Sequence, residues 1–376
     1  MYLVPIGRHA GAAREKWSAA VLMSFLLFCM VIYLAQILSG NHALGFSHWI
    51  VQDGINLYNG LLGSIPGFPG SCLGRGLGTY LVYTLPYKAL GIAGFFVMNM
   101  LIVLWIVVRH GVALFFLFPL YLFSFALPSK DLLLLLLILE WGRSLHLGHW
   151  VLTIMLIFLM YFFRDGNMFS SIACSVAVLL WRVRIPWQGV ALSAIGFCGF
   201  MFVYGAPLLM HIPIYASYVG VYKSLSWIEA SSFQDYLIRL IGNSSNIAMR
   251  TVFVDDQGGI SLLAIAGVVS GVAMLTVFCL ATWAFIRNDK RDKVVFASLL
   301  LFVAWAVLSV NPLVHPRYLM PYLVAFFMLV QGEYSSVEKR GALAVALGMT
   351  IIWMIFYAVL PIPHPPMPIV HEFMLY

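Results

Sequence analysis

Charge is scarce in this sequence. Of its 376 residues only 9% are Asp, Glu, Lys or Arg, whereas a soluble domain carries roughly a quarter. So few charges cannot clothe a globule of this length in a water-facing surface. A soluble enzyme, a nucleic-acid-binding module and a disordered scaffold are excluded on that ground. Cysteine is scarce as well, with five in all. Cys29, Cys174, Cys198 and Cys279 sit in apolar stretches and Cys72 alone falls in a loop. No CxxC and no Cys/His pair at metal-ligand spacing occurs, so neither a disulfide framework nor a zinc site is expected. The cysteines read as small buried hydrophobes. Internal repeats are missing too, and the two halves lack the matching Gly/Pro-broken helices of inverted-repeat transporters.

What the chain has instead is apolar length. Hydrophobic residues make up 62% of it. A spanning helix needs about 20 apolar residues, somewhat fewer inside a bundle. Runs that qualify are 18–38, 90–108, 111–127, 131–145, 149–163, 168–181, 186–204, 260–286, 294–310, 318–332 and 341–361. A second helix within 79–97 competes at the start of the second run. The expected fold is therefore an all-α integral membrane protein, a polytopic bundle of about 11 transmembrane helices forming one domain over residues 1–376. The first run follows Arg8, Arg14 and Lys16 and is longer than a signal-peptide core, so it reads as a retained helix.

The net charge of +7 records topology rather than affinity for nucleic acid. With the N-terminus inside, the short inside segments carry Arg8, Arg14, Lys16, Arg109, Arg143, Arg182, Arg184, Arg287, Lys290, Arg291, Lys293, Lys339 and Arg340, 13 of the 21 basic residues. The C-terminus then lies outside. Two outside segments are long: 40–88, rich in Gly and Pro, and 205–259. Loops of that length are usually functional. In the second, Ser224 to Ile241 places Trp227, Ile228, Phe233, Tyr236, Leu237, Leu240 and Ile241 mostly on one helical face. That pattern suits a helix lying in the membrane interface, or one capping the bundle through its apolar side.

The outside charges carry the chemistry. Asp53, in HWIVQDGINLYNG, can take a proton from an acceptor hydroxyl or hold a divalent cation against a phosphate; its Asp-Gly step also suits a plain turn. In PSKD, Ser129 and Asp131 are natural companions of a helix start, but Lys130 opposes the helix dipole and so reads as an anion contact or a snorkelling lysine. Arg164, in YFFRDGNMF, can grip a lipid phosphate with its planar fork or form an Arg-Asp turn. NPLVHPRYLMPYLVAF is the strongest local signal. Three prolines fix the segment around His315, Arg317 and Tyr318, at a place where positive-inside statistics disfavour arginine. Asp255 and Asp256 read as a polar turn. Glu140, His146 and His149 read as inside-facing or bundle-polar groups.

Together these features resemble the polytopic GT-C glycosyltransferase superfamily and the related O-antigen and surface-polysaccharide polymerases of bacteria. The motifs are an acidic residue in the first outer loop followed by a tyrosine (Asp53, Tyr58), a Lys-Asp opening a Leu-rich helix (Lys130, Asp131), and Arg-Tyr-x-x-Pro late in the chain (Arg317, Tyr318, Pro321). The resemblance implies a GT-C-like bundle in the bacterial inner membrane. It also implies sugar transfer from a polyprenyl-phosphate or polyprenyl-diphosphate-linked glycan, with membrane lipid, a flippase and a chain-length regulator as partners. Asp53 stands alone where many members carry paired acids, so no cofactor is expected and metal-dependent donor activation is disfavoured. Asp53, Arg317 and His315 are then the catalytic candidates. Arg75, Lys130, Arg164, Tyr58 and Tyr318 are the candidates for holding substrate. A polymerase is the favoured reading. A transferase adding a single sugar, a lipid-linked oligosaccharide transporter and a non-catalytic assembly subunit are the rivals.

Overall fold

The computed structural model describes residues 20–22, 24, 77–91, 93–111, 115, 117–118, 130–205, 232–237, 240, 262–310, 316–330 and 332–359. Among these residues the secondary structure is helical throughout, without a strand. The helices are α1 (Leu77–Leu90), α2 (Ala93–His110), α3 (Lys130–Leu147), α4 (Trp150–Tyr161), α5 (Asp165–Arg182), α6 (Trp187–Phe200), α7 (Leu262–Ile286), α8 (Asp292–Leu308), α9 (Pro316–Val330) and α10 (Ser336–Val359). A turn of π-helix, Met201–Gly205, extends α6.

Among the described residues three stretches are long and apolar enough to cross a membrane: Ala93–His110 and Trp187–Tyr204, with 18 residues each, and Val268–Ile286, with 19. The outward faces of these and of other helices are apolar as well: Leu85, Val108, Val151, Ile154, Phe158, Phe197 and Ile355 are all exposed. In water such continuous exposure would drive aggregation; in a bilayer it is the ordinary outer surface.

The helix most deeply buried is α8. It is hydrophobic on every side, and 13 of its 17 residues are buried. A helix without a polar stripe belongs in a core. It packs against α5, α9, α6 and α7, while α7 also packs on α10 and α9 on α3. Small residues at Ala297, Ser298, Ala304 and Ala306 let neighbouring backbones approach, as in membrane bundles generally. Around it α3, α4 and α5 run up and down in sequence, so α3 and α5 begin at the same end.

The sequence reading and the structure differ at the end of the first long loop. Residues 77–88, read as the close of the first long loop, are helical and form α1. The break between α1 and α2 is set by Gly91, whose φ of +61° is the left-handed region that glycine adopts without cost. The resulting hairpin is tight. A Cβ on Gly94 would lie 2.1 Å from the Pro86 carbonyl oxygen. Tyr87 stacks on Phe95, and the Tyr83 hydroxyl donates to Asn99 Oδ1 in the buried interior. For the segment around Tyr236 the structure selects the second of the two readings, a cap on the bundle. Its described part, 232–237 and 240, caps the bundle: Tyr236 and Leu240 are buried beside Phe202 and Cys198, and the Tyr236 hydroxyl donates to the Ala306 carbonyl at 3.0 Å. Ser232 and Asp235 form a reciprocal cap at its start, with Ser232 N–H to Asp235 Oδ2 at 2.9 Å and Asp235 N–H to Ser232 Oγ at 3.1 Å. Most of the runs 18–38 and 111–127, and most of 205–259, lie outside the described residues.

Candidate functional site

Three of the motifs singled out from the sequence meet at one end of the bundle. Lys130 and Asp131 open α3, Arg164 is the N-cap of α5, and Arg317 and Tyr318 lie in the first turn of α9. Arg164 Nη1 stands 3.2 Å from Asp131 Oδ1. Its guanidinium carbon lies 4.1 Å from the centre of the Tyr318 ring. An exposed arginine was expected here, but Arg164 is only 8% exposed. A positive charge at a helix start opposes the α5 dipole and loses hydration on burial. The Asp131 carboxylate and the π face of Tyr318 offset both costs.

The same corner is laced by neutral hydrogen bonds. Asn167 Nδ2 donates to the Tyr318 carbonyl at 3.3 Å, and the Tyr322 hydroxyl donates to the Asn167 carbonyl at 3.0 Å. Ser171 Oγ lies 3.1 Å from the Tyr322 hydroxyl, and the Trp141 ring of α3 meets Tyr322 edge-on. Ser171 and Asn167 lie on one face of α5, and Tyr318 and Tyr322 stand one turn apart on α9. The start of α9 is thus pinned to α5 and α3 by groups fixed in register. The start of α1 meets the same corner: Gly78 donates its N–H to the Phe162 carbonyl at 3.0 Å, and a Cβ there would strike the Phe163 ring at 2.9 Å.

Of the eight candidate residues, Arg164, Tyr318 and Lys130 are therefore gathered at one corner, with the backbone of Arg317 beside Tyr318. The side chain of Arg317 and all of Asp53, Tyr58, Arg75 and His315 lie outside what the structure describes. Comparison with protein-family models, with curated proteins and with solved structures finds no match. The functional argument accordingly rests on the residues themselves.

Two arrangements were not read from the sequence. The Asp131–Arg164 pair is the first. Asp131 has a sufficient local reason to open a helix, so nothing in its neighbourhood asks for a distant partner. The available signal was that α3 and α5 start at the same end with opposite charges. The second is Glu140, in the middle of α3. It accepts from Arg109 Nε at 2.6 Å and from Trp105 Nε1 at 3.3 Å, with His110 Nε2 at 3.6 Å. That makes it a bundle-polar group with its own cation.

The opposite end carries an ion-pair network. Lys293 Nζ lies 2.9 Å from Glu333, and Arg287 Nη1 lies 3.2 Å from Glu338. Arg291 Nε donates to both oxygens of Asp289 at 3.0 Å and stacks over the Tyr334 ring at 4.7 Å. The hydrogen bonds from Arg291 hold the Asp289 carboxyl below its ordinary pKa. Glu338 is held low chiefly by the Ser335 backbone N–H, at 2.8 Å. No group of three or more His, Cys, Asp or Glu that could hold a metal occurs among the described residues.

Proposed function

We propose that this chain is a polytopic glycosyltransferase of the polymerase type. It joins polyprenyl-diphosphate-linked sugar repeat units at the outer face of the bacterial inner membrane, in O-antigen or related surface-polysaccharide synthesis. The bundle crosses the membrane about 11 times, with the N-terminus cytoplasmic and the C-terminus periplasmic. The observation that carries the reading is the meeting of Asp131, Arg164 and Tyr318, which brings the Lys-Asp, Arg and Arg-Tyr motifs to one corner. The basic network at the other end agrees with that end being cytoplasmic.

In this mechanism the Asp53 carboxylate accepts the proton of an acceptor hydroxyl, and the oxygen attacks the anomeric carbon of the donor. The bond from that carbon to the diphosphate oxygen breaks, and the diphosphate leaves with the electron pair. Fixed cations stabilise the departing charge. Arg317, Lys130 and Arg75 supply them, and His315 adds a hydrogen-bond donor. Tyr58 contacts the sugar. Arg164, committed to Asp131 and Tyr318, is a positioning residue: it holds the starts of α3, α5 and α9, and with them Lys130 and the backbone of Arg317, in one geometry.

The experiment is a gel profile of surface polysaccharide from cells lacking the gene, beside cells restored with the wild type or with Arg317→Ala at equal membrane levels. Loss of the ladder, with lipid-linked single units accumulating, and failure of Arg317→Ala to restore it are expected. A ladder that persists with one sugar missing would move the assignment to a transferase using a polyprenyl-phosphate donor. An unchanged glycan would overturn the enzyme reading and favour a transporter.

A further inference from the structure

At the basic end of the bundle there is a cavity of about 610 Å³ that the reaction above does not use. Its cationic lining is Arg182, Arg184 and Lys290. These cations differ in what they already hold. Arg182 Nη2 donates to the Leu145 and His146 carbonyls, at 3.1 Å each, and so caps α3. Arg184 and Lys290 have no carboxylate or carbonyl partner for their side chains among the described residues.

Two carboxylates, Asp289 and Asp292, line the same cavity, and each is already answered. Asp289 is engaged by Arg291 through both oxygens. Asp292 sits in the first turn of α8, where it answers that helix's own dipole. Polar backbone groups also point to an anion. α5 and α7 end here in paired reverse turns: Arg184 N–H bonds Trp181 O at 2.9 Å and Ile185 N–H bonds Leu180 O at 3.3 Å, while Asn288 N–H bonds Phe285 O at 3.2 Å and Asp289 N–H bonds Ala284 O at 3.0 Å. Those bonds occupy the carbonyls of Trp181, Leu180, Phe285 and Ala284. By contrast, α6 begins at the cavity, and its N-cap, Pro186, makes no side-chain capping bond. Its first-turn N–H groups are the kind that bind phosphates.

Arg184 itself is held at φ +73°. This is the left-handed helix-end position at which glycine is the usual residue. The backbone does not ask for arginine there, so the side chain is what the position retains.

We propose that this cavity binds a phosphate-bearing anion, gripped by Arg184 and Lys290 and seated at the start of α6. Two sources share that chemistry: the headgroup of an anionic membrane lipid, and a soluble phosphate compound. The site lies at the other end of the bundle from the Arg164 corner and does not depend on the transfer reaction.

The test uses the full chain purified in detergent. One arm measures retention of phosphatidylglycerol against phosphatidylcholine by native mass spectrometry. The other measures the melting temperature with inorganic pyrophosphate and no added lipid. A basic side chain near an anionic headgroup accounts for about a fivefold change in binding. Arg184→Gly and Lys290→Gln are each expected to lose roughly that factor in whichever arm the wild type responds. Arg184→Gly melts no lower than wild type, because glycine suits the backbone, so its loss cannot be laid to unfolding. Lys290→Gln, in an exposed turn, is the independent second variant. Preference for phosphatidylglycerol identifies a lipid headgroup. A pyrophosphate response without lipid preference identifies a soluble ligand. Response in neither arm, or an equal loss in Arg340→Gln, an exposed basic residue that does not line the cavity, overturns the proposal.

Discussion

Removing Arg164 should cost far more than removing a surface arginine, and the excess should vanish when Asp131 goes with it. In Arg164→Ala the Asp131 carboxylate, whose side chain is only 13% exposed, is left without its cation at 3.2 Å. Breaking one partner of a buried pair costs about 3–5 kcal/mol. Loss of the stacked guanidinium above Tyr318 adds about 1–2 kcal/mol. Asp131→Ala alone leaves the buried guanidinium uncompensated and should cost about as much as the pair term. The double variant leaves no unpaired charge, so it should be destabilised by at least about 2 kcal/mol less than the sum of the singles. Reversible unfolding of detergent-solubilised protein by SDS titration measures all four corners of the cycle. Additivity within about 0.5 kcal/mol would refute the coupling and, with it, the claim that Arg164 fixes this corner.

Gly94→Ala should destabilise by about 1–3 kcal/mol or more, because the new methyl meets backbone at Pro86 rather than a side chain that can turn aside; the same SDS titration reads it, and an unchanged midpoint would show the α1–α2 approach to be looser than described. Asp289 and Glu338 both titrate below their unfolded values of about 4. Their contribution to stability is complete above that pH and is lost as pH falls through the lowered folded values. Melting temperatures should therefore drop on acidification below about pH 4, with a shallower drop in Asp289→Asn; an equally steep drop in that variant would remove the pair as a cause.

Helix positions were legible because apolar length and breakers define them: α3, α5, α6, α7 and α8 begin and end within a few residues of the runs read from the sequence. The start of α1 was not, because the Gly/Pro-rich stretch before it runs into the helix without a capping residue, and Pro86 stands inside the helix where proline ordinarily marks an end. At the candidate site the residue types were legible and their pairing was not. Arg164 was read beside its neighbour in sequence, whereas its partners Asp131 and Tyr318 lie on other helices. Arg184 looked like one topology determinant among thirteen; only its backbone angle sets it apart, and side-chain composition does not encode that angle.

The order of synthesis gives the Arg164 corner a history. Asp131 and Arg164 leave the ribosome close together, on helices that start at the same end, so each charge can neutralise the other while α3, α4 and α5 settle into the bilayer. Tyr318 is made only after α7 and α8, and α8 must by then have been walled off from lipid. The aromatic lid on the guanidinium is thus a late seal on an early pair. A chain interrupted before α9 would hold its ion pair but leave that face of the arginine uncovered, and cellular quality control could recognise this as an unfinished protein.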